Sequence, residues 1–130
     1  MIAKGIFSIL SGDSTLTAIV GTRIYPVIAP QSETLPDNYI VFKEIANNPR
    51  DTKSGVSELD TIRLQIESWS DKHDEMETID QRIRDLLDRY TGTANTVNFD
   101  SFQFLTFSQM YDWEVEKFVK ASDYNVRVHR

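Results

Sequence analysis

The chain contains no cysteine. Disulfide staples and thiolate metal sites are therefore excluded. Histidine is scarce too: only His73 and His129 are present, so a catalytic triad would have to use one of them. The five glycines are scattered and form no phosphate-cradling loop. No apolar run approaches the ~20 residues of a membrane span. The opening Met1-Ile2-Ala3-Lys4-Gly5 is not that of a signal peptide, because its apolar stretch is interrupted and no small-residue cleavage site follows. Basic residues are in the minority, with 14 Lys and Arg against 20 Asp and Glu and a net charge of -6. Such a surface discourages sequence-independent binding to nucleic acid or anionic membrane. These absences describe a soluble protein, made and kept in a cytoplasm, with no membrane partner. The 130 residues fit a single domain spanning 1–130. A domain near that size buries roughly two thirds of the surface its unfolded chain exposes, so it needs no staple.

What is present is a change of period. Residues Asp60 to Trp69 alternate, with Ile62, Leu64 and Ile66 on one side and Thr61, Arg63, Gln65 and Glu67 on the other. That is a half-buried strand, and its pattern places Trp69 on the face opposite the isoleucines. Met76, Ile79, Ile83, Leu86, Leu87 and Tyr90 then recur at steps of three and four, one stripe of an amphipathic helix. Ser70 or Asp71 is expected to cap it, and Thr91 to Thr96 to end it. The simplest arrangement packs this helix back onto the sheet that holds the strand.

The remaining segments supply the rest of that sheet. Ile2, Ile6, Phe7 and Leu10 predict a first short helix ending at Ser11-Gly12; Asp13-Ser14 caps a second, closed by Gly21. Thr22 to Pro26 reads as an edge strand, because proline cannot donate to a ladder. Ala29 to Asn38 reads as a surface loop, and Tyr39 to Ile45 as a strand covered on both faces. Asn47 to Leu59 has no periodicity and is expected to be a long polar loop. Phe102 and Phe104 are placed on one face of a later strand, Leu105 and Phe107 on the other, with a bend over Met110 to Glu114. The final run alternates Tyr124, Val126 and Val128 against Asn125, Arg127 and His129, and an antiparallel pair joined near Trp113 to Lys117 accounts for both. The expected fold is α+β: a mostly antiparallel sheet of about five strands, one long helix packed across it, and a short helical N-terminus.

Chemistry is sparse. Asp71-Lys72-His73-Asp74 is the densest cluster of ligand-type residues, but consecutive helix positions diverge by about 100°, so capping explains it better than a metal. Gly12-Asp13-Ser14-Thr15-Leu16 is similar to the nucleophile block of GDSL-type hydrolases. Such a serine needs a base, typically from an Asp-x-x-His near the C-terminus, and Val126 occupies the position three before His129. An N-cap between helices is the better reading, and a small hydrolase using Ser14 is the weaker alternative. Arg82, Arg84 and Arg89 alternate with Asp80, Asp85 and Asp88, which describes a solvated helix face rather than a basic patch. Trp69 and Trp113 are each either an interface anchor or a core edge. No catalytic residue, metal or cofactor is expected.

The ordered set of segments resembles the small tail-completion proteins of tailed bacteriophages, the head-to-tail joining group related in fold to tail terminators. The resemblance rests on Leu16 to Gly21 (Leu-Thr-Ala-Ile-Val-Gly), Arg23-Ile24-Tyr25-Pro26, Ala29-Pro30-Gln31, and Tyr39-Ile40-Val41-Phe42. It continues through Arg63 to Trp69 with the helix after it, and the closing Tyr124-x-Val126-x-Val128. It covers nearly the whole chain and implies a non-enzymatic virion assembly protein at the neck. Such proteins form a ring, commonly hexameric, that caps the head-proximal end of the tail tube. The ring stops tube polymerisation and docks the head. The implied partners are further copies of the chain, the tail tube protein, and head connector or stopper proteins, with DNA only passing through the lumen. A head-side neck component is the alternative. Arg50, Asp51 and Lys53 of the polar loop, together with Trp113, are the expected interface residues. The loop is expected to be mobile in the free subunit and to order against a neighbour or the tube.

Overall fold

In the computed structural model, which describes residues 2–27, 38–52 and 55–129, the alternation around Ile62 holds the architecture together. The chain runs α1 (Ala3–Ser11), α2 (Ser14–Val20), β1 (Ile24–Pro26), β2 (Asn38–Thr52), β3 (Gly55–Ser70), α3 (His73–Leu87), β4 (Gly92–Ala94), β5 (Val97–Asp112) and β6 (Lys117–His129). The strands form one curled, six-stranded sheet in the order β1-β2-β3-β6-β5-β4. The sheet is mixed: β1 lies parallel to β2, and the other pairs are antiparallel. The sixth strand, β4, comes from the segment expected only to end the helix. It pairs with the start of β5 through a two-residue turn at Asn95 and Thr96, both at positive φ. That is the turn geometry that suits the twist of a hairpin.

Residues opposite one another across a ladder point to the same face. The inner face therefore carries Ile40, Phe42, Ile62, Leu64, Ile66, Tyr124, Val126 and Val128, all buried. The apolar stripes of the three helices pack on that face: Ile6 and Leu10, Leu16 and Val20, then Ile79, Ile83 and Leu87. Gly5 lets α1 come close, since a Cβ there would sit 2.6 Å from the Phe99 ring. The helical N-terminus, the helix after β3 and the double-sided burial of β2 all follow the sequence reading. On the outer face Tyr39 and Val41 form a second small cluster with Tyr25 and Trp69.

Four local expectations are corrected. Asn47 to Leu59 is not a loop in its described part: Asn47 to Thr52 belongs to β2 and pairs with β3, with bulges between Glu44 and Ala46 and between Pro49 and Asp51. Backbone pairing needs no side-chain periodicity, and the bulges scramble what periodicity there is. The cap of α3 is also displaced. Lys72 is the N-cap residue and makes no side-chain cap bond. Ser70 Oγ accepts the Lys72 amide at 3.1 Å and donates to Glu75 at 2.9 Å. β5 runs on through Asp112, so Met110 to Asp112 is strand rather than bend. Finally, a bulge between Phe104 and Thr106 puts Phe107 opposite Ser122, on the same face as Phe104. The expected surface loop lies outside the described residues except for Asn38, which opens β2.

Polar side chains fix how the helices sit. Asp13 accepts the Leu16 amide at 2.9 Å and both Nε and Nη2 of Arg82, at 2.9 and 2.6 Å, joining the start of α2 to α3. Asp80, on the buried face of α3, accepts from Ser122 at 2.6 Å and lies 3.5 Å from Lys120 Nζ. Lys120 also reaches Glu77 at 3.2 Å and lies 4.4 Å from the centre of the Phe107 ring.

Two outcomes follow from these contacts. The Arg82 hydrogen bonds hold the Asp13 carboxyl below its ordinary 3.8, against an opposing push from burial. A depressed carboxylate adds stability above its unfolded pKa and loses it as pH falls through the folded one. Asp13→Asn keeps a capping oxygen but removes this charge pair. Its unfolding free energy should fall less steeply than that of the parent between about pH 4 and pH 2, as read by urea titrations at each pH. Lys120→Met leaves Asp80 buried without its cation and should destabilise by about 3 kcal/mol. Adding Asp80→Asn should restore part of that loss in the same assay.

Candidate interaction surface

Phe7, Val27 and Ile45 are exposed singly, whereas Leu105, Phe107, Met110, Trp113 and Val115 are exposed together along β5 and the turn after it. β5 and β6 meet in that turn, at one end of the sheet, over residues 113–116, which Asp112 shapes by accepting the amides of Glu114 and Val115 at 3.0 and 3.4 Å. Trp113 stands on this turn with 82% of its surface exposed. Along β5 behind it, Met110 is 64% and Phe107 48% exposed, and Leu105 is exposed as well. Every residue from Leu105 to Met110 is exposed, which is unusual for six consecutive strand positions holding three large apolar side chains.

This end is aromatic on both faces. On the inner side Tyr111 packs edge-on against Trp113 and Phe118, with ring centres 4.6 and 4.9 Å apart, and Phe118 in turn meets His73 at the start of α3. On the outer side the registers align Tyr39, Trp69, Val119 and Met110 into one row across four strands. Tyr39 stacks on Trp69 at 5.6 Å, and Trp69 donates its indole N–H to Glu67 at 3.1 Å. Burial, helped by the Glu67 and Asp112 carboxylates, pushes the Tyr39 phenol up to about 12, so it stays neutral at physiological pH. Trp69 thus occupies the outer face as its alternation requires, part-buried within the row. The rest of that face is polar: Arg63 meets Asp123 at 2.7 Å, and Lys43 meets Glu67 at 3.2 Å.

The opposite end carries the other projection. β1 stops opposite Phe42, and β6 stops with His129 opposite Leu59. Beyond those points β2 and β3 continue as a two-stranded ribbon, pairing as far as Thr52 and Gly55. Arg50 and Asp51 are backbone members of this ribbon, and Lys53 lies outside the described residues. The structure therefore does not bring the expected interface residues together. Trp113 sits at one end of the sheet and the Arg50–Asp51 ribbon at the other.

The chemical candidates are otherwise engaged. Asp13 is taken up by Leu16 and Arg82, which leaves Ser14 as the first residue of α2. His129 faces Asp100 at 3.7 Å, and His73 lies 3.8 Å from Asp74 and from Glu77. Among the described residues, no group of three or more His, Asp or Glu side chains is placed to hold a metal ion. No described helix is long and apolar enough to cross a membrane. Sequence reasoning missed Leu105, Phe107 and Met110. The signal available was a β-forming run with no Pro or Lys to blunt an edge.

Comparison with known proteins agrees with this fold. A chain in the structure titled "Virion of native gene transfer agent (GTA) particle" superposes with a TM-score of 0.76 at 17% identity, covering 97% of this chain and 92% of that one. No curated protein matches. The sequence pattern of the family described as Tail completion protein gp17 matches residues 4–129. The chain belongs to the tail completion protein gp17 family.

Proposed function

We propose that this chain is a structural subunit of a phage-like particle. It assembles with copies of itself into a hexameric ring on the head-proximal end of the tail tube. There it stops tube growth and forms the surface on which the head docks. The observation that carries this reading is the two-ended sheet, with an exposed aromatic turn at one end and a β ribbon at the other. A joining subunit must hold different partners at its two ends, and a closed ring must use two different patches on each copy. Family membership supports a tail-completion role.

The interface residues divide accordingly. Trp113, backed by Met110 and Phe107, is the apolar anchor, since large exposed aromatic groups dominate binding energy once buried. Arg50, Asp51 and Lys53 are the polar contacts of the ribbon end. An isolated two-stranded hairpin is marginal in water, so a ribbon of this kind gains from packing on a neighbour or the tube. The net charge of -6 suits a channel wall that lets DNA pass without holding its phosphates. Assembly takes place in the host cytoplasm, and the protein ends in the virion neck.

The test is electron microscopy of isolated tail tubes mixed with the purified chain. Density capping one end of the tube is expected. Trp113→Ser with Met110→Ser should abolish capping while shifting unfolding free energy by less than about 0.5 kcal/mol, because both side chains are exposed. Binding to DNA-filled heads but not to tubes would move the protein to the head side of the neck. Binding to neither would overturn the proposal.

A further inference from the structure

The edges of a sheet are normally blunted by charge, proline, bulges or cover. The first half of β5 is covered. Its neighbour β4 pairs with Val97 to Phe99, Arg89 donates its amide to the Phe102 carbonyl at 3.1 Å, and Asp88 accepts the Phe104 amide at 3.3 Å. From Thr106 to Asp112, β5 pairs with β6 on one side and, among the described residues, with no strand on the other. The Phe102 carbonyl and Phe104 amide point away from β6, so Asp123, with no bulge on its own strand, points to β5 and pairs with Thr106. Alternation then turns the amides and carbonyls of Phe107, Gln109 and Tyr111 outward.

Backbone groups alone select no occupant; the side chains around them do. Phe107 and Tyr111 lie on the inner face of this stretch and Met110 on the outer, so both faces offer apolar contact to a neighbouring strand. Charge is unequal along the edge. At the covered end Arg84 lies 3.8 Å from the centre of the Phe104 ring, beside Asp88, and the two charges offset each other. At the turn end the carboxylates of Asp112, Glu114 and Glu116 stand against Lys117 alone, and Lys117 is buried. Glu114 and Glu116 are exposed on either side of the turn, and Trp113 offers an open aromatic face between Asp112 and Glu114. An aromatic face flanked by carboxylates attracts a Lys or Arg side chain.

We infer that this edge takes an extended segment of another protein, added to the six-stranded sheet beside β5. The segment carries β-branched or aromatic side chains against Phe107 and Met110, and an Arg or Lys at the end that reaches Trp113. Main-chain hydrogen bonds to Phe107, Gln109 and Tyr111 hold it, and the acidic turn selects it. The inference rests on the reading of this end as an assembly surface and names the chemistry of what binds there. β5 contains no Lys or Arg, so a second copy pairing edge to edge brings no strand cation to the turn.

Amide hydrogen exchange of the full chain, read by NMR, tests this with a synthetic peptide, Arg-Val-Thr-Val-Thr-Val-Arg, blocked at both termini. An Arg at each end serves either strand direction. With peptide, the Phe107, Gln109 and Tyr111 amides should slow by about tenfold or more, while Ser108 and Met110, already paired to β6, change little. Gln109→Pro removes an outward N–H and should abolish binding. Glu114→Gln with Glu116→Gln, on exposed turn positions, should weaken it about fivefold without touching the edge. Unchanged exchange up to about 1 mM peptide would overturn the inference. So would equal binding of a peptide with Glu at both ends, or protection that does not alternate along β5. Slow outward amides without peptide, together with a two-chain mass in sedimentation, would give the edge to a second copy and overturn it as well. Tube capping is read separately, so the tail-completion reading and the strand addition can each fail alone.

Discussion

The ladder between β3 and β6 is the constraint on which the rest depends. It runs without a break from Leu59 opposite His129 to Ser70 opposite Phe118. With a side-chain period of two, one slip would exchange Ile62, Leu64 and Ile66 for Thr61, Arg63 and Gln65 on the inner face. The core under the three helices would then be polar. Both flanking strands inherit their facing from this pair, β2 from β3 and β5 from β6. The aromatic row on the outer face is a product of the same register, because Tyr39, Trp69, Val119 and Met110 meet only when every strand is in phase.

The ladder sets facing, whereas buried polar contacts set position along the strands. Asp80 can meet Ser122 and Lys120 together only if α3 lies at one height over β6. Glu75 accepts from both Ser70 and Asn38, and Asn38 accepts from Arg23 at 2.6 Å, which ties the start of α3 to β3, β2 and the segment before β1. Apolar packing tolerates sliding better than charge-assisted hydrogen bonds do. The two kinds of contact together give one seating of the helices, and that seating leaves the β5–β6 turn and the β2–β3 ribbon free at opposite ends.

Much of this was legible in the residues. The strand-to-helix change of period, the Asp13 cap, the Gly21 closure and the proline-terminated edge strand each have a local physical cause, and each is where it was expected. What could not be read was non-local. Asn47 to Thr52 looks like a loop because its strand character comes from pairing with β3, not from its own composition. β4 is three residues long and exists because a turn at Asn95 and Thr96 brings it back onto β5. Phe107 changed face because one residue was inserted at a bulge, which no alternation pattern announces. Trp113 could be read as either an anchor or a core edge, and the structure exposes it; the apolar strand behind it could not be read, since exposure depends on which neighbours a strand lacks.

That missing neighbour is the feature that connects structure to role. A stable subunit that worked alone would have no use for an apolar, unblunted strand edge, which exposes it to aggregation. The same chain blunts β2 with bulges and a proline and covers the early part of β5 with Asp88 and Arg89. The protection stops where the exposed apolar residues begin. In a chain of the tail completion family, an edge left open beside edges that are managed keeps unused backbone donors and acceptors where another strand could pair.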